Sequence, residues 1–261
     1  MTFYEKLQNI INKNNSSLCV GIDIDLNKIP DQYKKAKEPF FEYAKKIIDE
    51  TNDLVCAYKP NSAFFEAAGS GGIAQLKKIL EYIPDDIPVI LDVKRGDIGN
   101  TAALYARYAY EYLNADAVTL SPYMGADSIA PFLNYLDKFM FVLIRTSNQS
   151  ADEIQKLKLA NGNYLYQEMA KIVSSWGEHY KIGFVVGATC PEELIDLREN
   201  FKNILFLIPG IGSQGGDTEI VKKYGKNNNN LAIINVSRKI IYPEAGKTIR
   251  DMAIHYKKLL S

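Results

Sequence analysis

An excess of charge of either sign is missing from this chain: 31 lysines and arginines balance 31 aspartates and glutamates, so the formal charge at pH 7 is zero. Nothing in that balance provides a basic footprint for nucleic acid or an anionic membrane surface. Cysteine is scarce as well. Cys19, Cys56 and Cys190 stand far apart with no C-x-x-C pair, which argues against a disulfide framework and against a thiolate zinc site. No apolar run reaches the roughly 20 residues that span a bilayer. The opening MTFYEKLQNIINK lacks the charged-then-apolar order of a secretion signal, so a cytoplasmic protein is expected. Histidine is nearly absent too. His179 and His255 both fall near the ends of expected surface helices, which leaves no histidine base. Neither H-E-x-x-H, G-x-S-x-G nor a P-loop occurs, disfavouring metal hydrolysis and serine-type acyl transfer. Any proton transfer then falls to a lysine.

What is present is a folded-protein composition, 47% hydrophobic and 24% charged over 261 residues, long enough for one core to bury roughly 70–75% of the unfolded surface. Eight short apolar runs punctuate it: LCVGID (18–23), LVCAYKPN (54–61), VILDVKRGD (89–97), AVTLSPY (117–123), MFVLIRT (140–146), IGFVVGAT (182–189), ILFLIPGIG (204–212) and LAIINVSR (231–238). They are too apolar to alternate and too short for core helices, which predicts strands of a parallel sheet. Helical spacing fills the intervals at 38–51, 71–83, 100–113, 126–139, 163–176, 190–201, 216–225 and 244–260. Eight strand-then-helix units over about 250 residues predict an α/β chain folded as a (β/α)8 barrel. An open doubly wound sheet competes, but its G-x-G-x-x-G turn is missing after the first run, which holds a single Gly. No linker divides the chain, so residues 1–261 are expected to form one domain. The run KNNNN (226–230) is expected to be a solvated loop.

In such a barrel, catalytic groups sit where strands end and βα loops begin. VILDVKRGD sets Asp92 and Lys94 two residues apart, on one side of an extended strand. An isolated D-x-K is read as a structural ion pair at the rim. Here Asp97 follows, and AYKPN brings Lys59 out of the neighbouring run, so an alternating array Lys59–Asp92–Lys94–Asp97 becomes available in which each charge offsets the next. Asp23 ends the first run; Asp25, two residues on, is as readily a solvated loop carboxylate. PGIGSQGGD (209–217) is a glycine-dense turn ahead of a helix, and NVSR puts Arg238 one strand later. A Gly-rich turn, a helix N-terminus and an arginine in the loops after strands seven and eight make a phosphate site with Gln214 and Arg238. RTSN offers Thr146, Ser147 and Asn148, which serve equally as loop caps. Tyr105, Tyr108 and Tyr112 recur at helical spacing as a packing or interface stripe.

Together LDVKRGDIGNT, AYKPNSAFFE, PGIGSQGGD and NVSR, in matching order from first strand to eighth, closely resemble the orotidine 5′-phosphate decarboxylase family, in particular its longer bacterial form. The D-x-K-x-x-D element is shared with phosphosugar-processing relatives on the same barrel. The resemblance implies a homodimeric (β/α)8 lyase that converts orotidine 5′-phosphate to uridine 5′-phosphate and carbon dioxide with no cofactor and no metal. It implies Lys94 as proton donor, Asp92 as the carboxylate facing the leaving group and Lys59 as its partner, with Asp97 and Thr101 reaching across the dimer interface. It implies Asp23 and Asn61 at the ribose, Ser147 at the pyrimidine, and Pro209, Gln214, Ser237 and Arg238 around the remainder of the nucleotide, Gln214 and Arg238 holding the phosphate. Ser237 stands where a family member can carry Gly. The segment 147–163 is long, and mobility is a reading open to it.

Overall fold

A computed structural model describes every residue except Ser213. The eight apolar runs form β1 (Leu18–Ile22), β2 (Ala57–Pro60), β3 (Ile90–Arg95), β4 (Ala117–Leu120), β5 (Phe139–Arg145), β6 (Ile182–Val186), β7 (Phe206–Pro209) and β8 (Ile233–Val236). Paired strands are parallel in the order β2-β1-β8-β7-β6-β5-β4-β3. The two end strands, β2 and β3, meet through isolated parallel bridges at Tyr58↔Val89 and Asn61↔Asp92, so the sheet closes as a (β/α)8 barrel. Every residue of β1, β2, β4, β6 and β8 is buried. A barrel strand is covered on both faces, which is why these runs read as continuously apolar.

A helix outside the eight expected intervals, α1 (Phe3–Asn14), precedes the barrel. Thr2 and Glu5 form a reciprocal capping box at its start, and Phe3, Leu7 and Ile10 are buried. Phe3 packs 4.7 Å from Phe139 and 5.9 Å from Phe141, while Lys6 Nζ pairs with Asp116 at 2.8 Å. These partners lie at or near the starts of β4 and β5, so α1 plugs the N-terminal end of the barrel and leaves the opposite mouth open.

Helices α2 (Pro39–Thr51), α3 (Gly69–Tyr82), α4 (Gly99–Arg107), α5 (Ala130–Leu133), α6 (Leu165–Ser174), α7 (Pro191–Asn200), α8 (Thr218–Tyr224) and α9 (Ile249–Leu259) follow successive strands. Three expectations need correction. The helix expected over 126–139 is reduced to a 3-10 turn at Ala126–Ser128 and α5, and Phe139 opens β5 instead. The helix expected over 100–113 leaves α-geometry after Arg107, and Tyr108–Tyr112 forms a π-turn in which the Tyr108 and Tyr112 rings stack at 5.7 Å. The run 226–230 is not wholly solvated: Asn227 is buried, accepting the N–H groups of Asn229 and Leu231 at 3.0 Å and donating to Tyr4 Oη at 3.1 Å. Segment 147–163 carries short structure of its own. Arg145, buried at the end of β5, pairs with Asp152 and, at 3.2 Å, with Glu193, and its Nη1 meets Gln155 Oε1 at 3.2 Å, so the segment folds into a helical turn over Asp152–Gln155.

Candidate active site

A cavity of about 500 Å³ opens at the C-terminal ends of the strands. Its floor includes Leu143, Val185 and Leu207, apolar side chains from β5, β6 and β7. Charged groups gather on one side. Lys59 Nζ stands 2.8 Å from Asp92 Oδ2, and Lys94 Nζ stands 2.6 Å from Asp92 Oδ1. The side chains of Lys59 and Asp92 are only 6% and 8% exposed, whereas Lys94 is 50% exposed and projects into the mouth of the cavity that it lines.

Burial alone would push the Asp92 carboxyl up, but the Lys59 and Lys94 ammoniums outweigh it and hold Asp92 well below the usual carboxylate range. Burial pulls Lys59 the other way, and the Asp92 charge, helped by Asp23, raises it above an ordinary lysine. Both shifts describe the same thing: a buried ion pair that stays fully charged at neutral pH.

The route by which Asp92 and Lys94 reach one cavity differs from the simple two-residue alternation of a strand. β3 pairs with β4 at Leu91↔Val118 and again at Arg95↔Leu120, so three residues of β3 stand opposite Thr119 alone. Within this bulge Lys94 has φ of +46°. Besides Lys94, the described residues other than glycine that have positive φ are Asn15, Asn114 and Asn230, a residue type that tolerates the left-handed region better than lysine does.

Across the cavity lie Pro209, Gln214, Ser237 and Arg238, and Ser147 with its neighbours Thr146 and Asn148 stands between the two groups. Asp23 also lines the wall; its Oδ1 is buried with no hydrogen-bond partner among the described residues. The helix N-terminus expected to help bind an anion is already occupied: the Asp217 carboxylate caps α8, accepting the Ile220 N–H at 3.0 Å. What faces the cavity from that turn is Gly210, Ile211 and Gln214.

Other expected residues lie outside this chain's own cavity. The four-charge array stops at three members, because Asp97 does not line the cavity and accepts the adjacent Ile98 N–H at 2.8 Å. Thr101 lines a separate outer groove with Glu66, Arg95 and Tyr105. Asn61 caps a short helix through the Ala63 N–H at 3.1 Å. His179 and His255 are likewise absent from the lining. Three polar lining residues are not evident from the sequence: Thr119, Asn235 and Gln155. The signal that singled out Lys59, a polar residue inside an apolar run, applies equally to Thr119 in AVTLSPY and Asn235 in LAIINVSR. Among the described residues no group of three or more His, Cys, Asp or Glu side chains is placed to hold a metal ion.

Comparison with known proteins agrees with this geometry. A curated orotidine 5′-phosphate decarboxylase of Herpetosiphon aurantiacus is 44% identical over 253 residues, covering 96% of this chain and 93% of that protein. Its counterpart in Dehalococcoides mccartyi is 43% identical, with 99% of each chain covered. The solved structure of Leishmania donovani OMP decarboxylase superposes with a TM-score of 0.87 at 37% identity, covering 100% of this chain and 97% of that one. The family model described as orotidine 5′-phosphate decarboxylase / HUMPS matches residues 16–248, and with cavity, charges and relatives in accord, the chain belongs to that family.

Proposed function

We propose that this chain decarboxylates orotidine 5′-phosphate to uridine 5′-phosphate, a step of de novo pyrimidine synthesis carried out in the cytoplasm, and that Lys94 is the proton donor. The observation that carries the reading is the Lys59–Asp92–Lys94 chain of contacts, 2.8 and 2.6 Å, beside an apolar floor and facing Arg238 and Gln214 across one cavity.

Breaking the bond between C6 and the carboxylate leaves an electron pair on C6 with little resonance relief. A fixed ammonium beside that carbon lowers the energy of the developing charge, and because Asp92 already orients Lys94, no dipole must turn during the step. A proton then moves from Lys94 Nζ to C6, and the half-exposed lysine recovers one from solvent. Enzymes lower barriers by about 8–23 kcal/mol, more than one cation supplies. The rest comes from holding the nucleotide at its remote phosphate, where Gln214 and Arg238 convert binding energy into placement of the ring. Pro209 and the Ser237 backbone complete that wall, Ser147 meets the pyrimidine, and Asp23, whose Oδ1 has no hydrogen-bond partner among the described residues, accepts a ribose hydroxyl that Asn61 also contacts once substrate is bound.

We further propose a homodimer in which Asp97 and Thr101 of one subunit complete the partner's site beside its Lys94. Ile98 and Leu104, next to those two residues, are exposed apolar side chains of the kind a subunit contact covers.

The test is the absorbance decrease when orotidine 5′-phosphate is added to purified protein treated with EDTA. Turnover is expected to survive the chelator, and Lys94→Ala is expected to abolish it while uridine 5′-phosphate still binds. Near-normal kcat in Lys94→Ala removes that lysine from the chemistry, and loss of wild-type turnover with EDTA points to a metal-using relative.

A further inference from the structure

Thr119 is buried in β4 directly opposite the bulge that carries the two reactive charges. Its Oγ1 accepts the N–H of Val93 at 3.0 Å and the N–H of Lys94 at 2.9 Å, and donates its own proton to Asp92 Oδ1 at 2.8 Å. One hydroxyl thus fills both its acceptor sites and its donor site, and all three partners belong to consecutive residues of one strand. The oxygen it donates to is the one that Lys94 Nζ touches at 2.6 Å.

A lysine at φ +46° holds an uncommon backbone conformation, and such a conformation persists only where the surroundings over-determine it. Here the surroundings include a single side chain, set opposite the three residues that β4 cannot match one for one. We propose that Thr119 is a positioning residue for the decarboxylation: by pinning the Val93 and Lys94 amides and one oxygen of Asp92, it aims the Lys94 ammonium. The inference rests on Lys94 being the proton donor and adds the group that sets its direction. A hydroxyl that merely satisfied buried amides would affect folding and nothing else.

The experiment compares Thr119→Val, which keeps the shape and removes the hydroxyl, with Thr119→Ser, which keeps the hydroxyl, and with Lys94→Ala. Each is measured for kcat, KM, affinity for uridine 5′-phosphate and thermal unfolding. A misplacement of about 1 Å is enough for a hundredfold loss, so Thr119→Val is expected to lower kcat about 100-fold with KM and product affinity within about threefold of wild type. Thr119→Ser is expected to recover kcat to within about tenfold, since the same three hydrogen bonds can re-form. Should Thr119→Val not fold, Thr119→Cys, which fills the space with a poor hydrogen-bonding group, is held to the same expectation. Wild-type kcat in Thr119→Val or Thr119→Cys, with Lys94→Ala inactive, overturns the role of Thr119 alone. Equal losses of kcat and product affinity, unrescued by serine, also overturn it and leave Thr119 a folding residue. Retained turnover in Lys94→Ala overturns the proton-donor assignment itself, and the inference with it.

Discussion

Gly21 and Ser237 meet at the seam of the first and eighth strands so closely that a Cβ on Gly21 would lie 2.7 Å from Ser237 Cβ and 3.0 Å from its Oγ. Ser237 Oγ donates to the Gly21 carbonyl at 3.1 Å, and Gly21 is also the ladder partner of Lys59. A hydrogen at this position therefore lets the phosphate wall and the charged wall approach each other.

Gly21→Ala is expected to force Ser237 and the adjoining Arg238 outward. Overpacking of this kind costs about 1–3 kcal/mol, to be read by denaturant unfolding. Because the displaced residues face the ligand, affinity for uridine 5′-phosphate should fall as well, and unchanged product binding would dissociate Ser237 from the phosphate wall.

Arg238→Ala should weaken uridine 5′-phosphate far more than uridine. An arginine–phosphate contact is a charge-assisted hydrogen bond, about 1.5–3 kcal/mol or roughly 10- to 150-fold in affinity. Calorimetric titration of both ligands checks it, and equal losses for the two would count against a phosphate contact.

Asp92→Asn should both silence turnover and destabilise the fold, because it leaves Lys59 as an under-compensated buried cation at a cost of about 3–5 kcal/mol. The pH dependence has a definite sign. Asp92 lies below its unfolded value near 3.9, so its contribution is present above that pH and lost as pH falls through the folded value. Lys59 lies above its unfolded value near 10.4, so its contribution is present below that pH and lost as pH rises through the folded value. The stability gap between wild type and Asp92→Asn should therefore stay level across about pH 5 to 10 and shrink below it. A gap that grows on acidification contradicts the ion pair.

Arg198 sits near the start of β7, at the end of the barrel away from the cavity, its guanidinium 3.6 Å over the Phe206 ring. It donates to the carbonyls of Phe201, Ile204, Tyr224 and Gly225 at 2.8 to 3.1 Å. Burial pulls it down to about 9, with Tyr4 opposing; its four carbonyl partners, away from the cavity, give this cation a structural role. Arg198→Leu orphans those carbonyls and should cost about 3 kcal/mol or more in stability with kcat and KM unchanged. A catalytic defect in folded Arg198→Leu protein would refute that separation.

Mixing Asp97→Ala protein with Lys94→Ala protein should restore part of the activity, since one site of each heterodimer then carries both intact groups. Absence of recovery, once subunit exchange is demonstrated by mass spectrometry, would place Asp97 within its own chain's site or outside the chemistry.

The barrel was legible because its strands are covered on both faces and so read as unbroken apolar runs, as in LCVGI of β1. Lys59, Asp92 and Arg238 were legible because charge in or just after such a run needs a reason. The β3 bulge was not: the spacing in D-x-K fits a regular strand equally well, and φ at Lys94 depends on the pairing with β4. Thr119 gives little signal of its own, because threonine is at home in strands and only the cross-strand contacts distinguish its hydroxyl from an ordinary one. Asn227 is hidden for a related reason, since asparagine side chains that close a turn on backbone amides carry the same letters as solvated ones.

The weakest junction of the barrel is β2 against β3, stitched by two isolated bridges, and the Lys59–Asp92 contact spans that same junction. The chemistry is therefore also a clasp. Variants made at Asp92 to obtain a dead enzyme loosen the shell as well as emptying it of function, and they make poor stand-ins for the folded, silent protein. Lys94, half in solvent and outside that junction, is the residue to replace when an inert but intact barrel is wanted for trapping ligand.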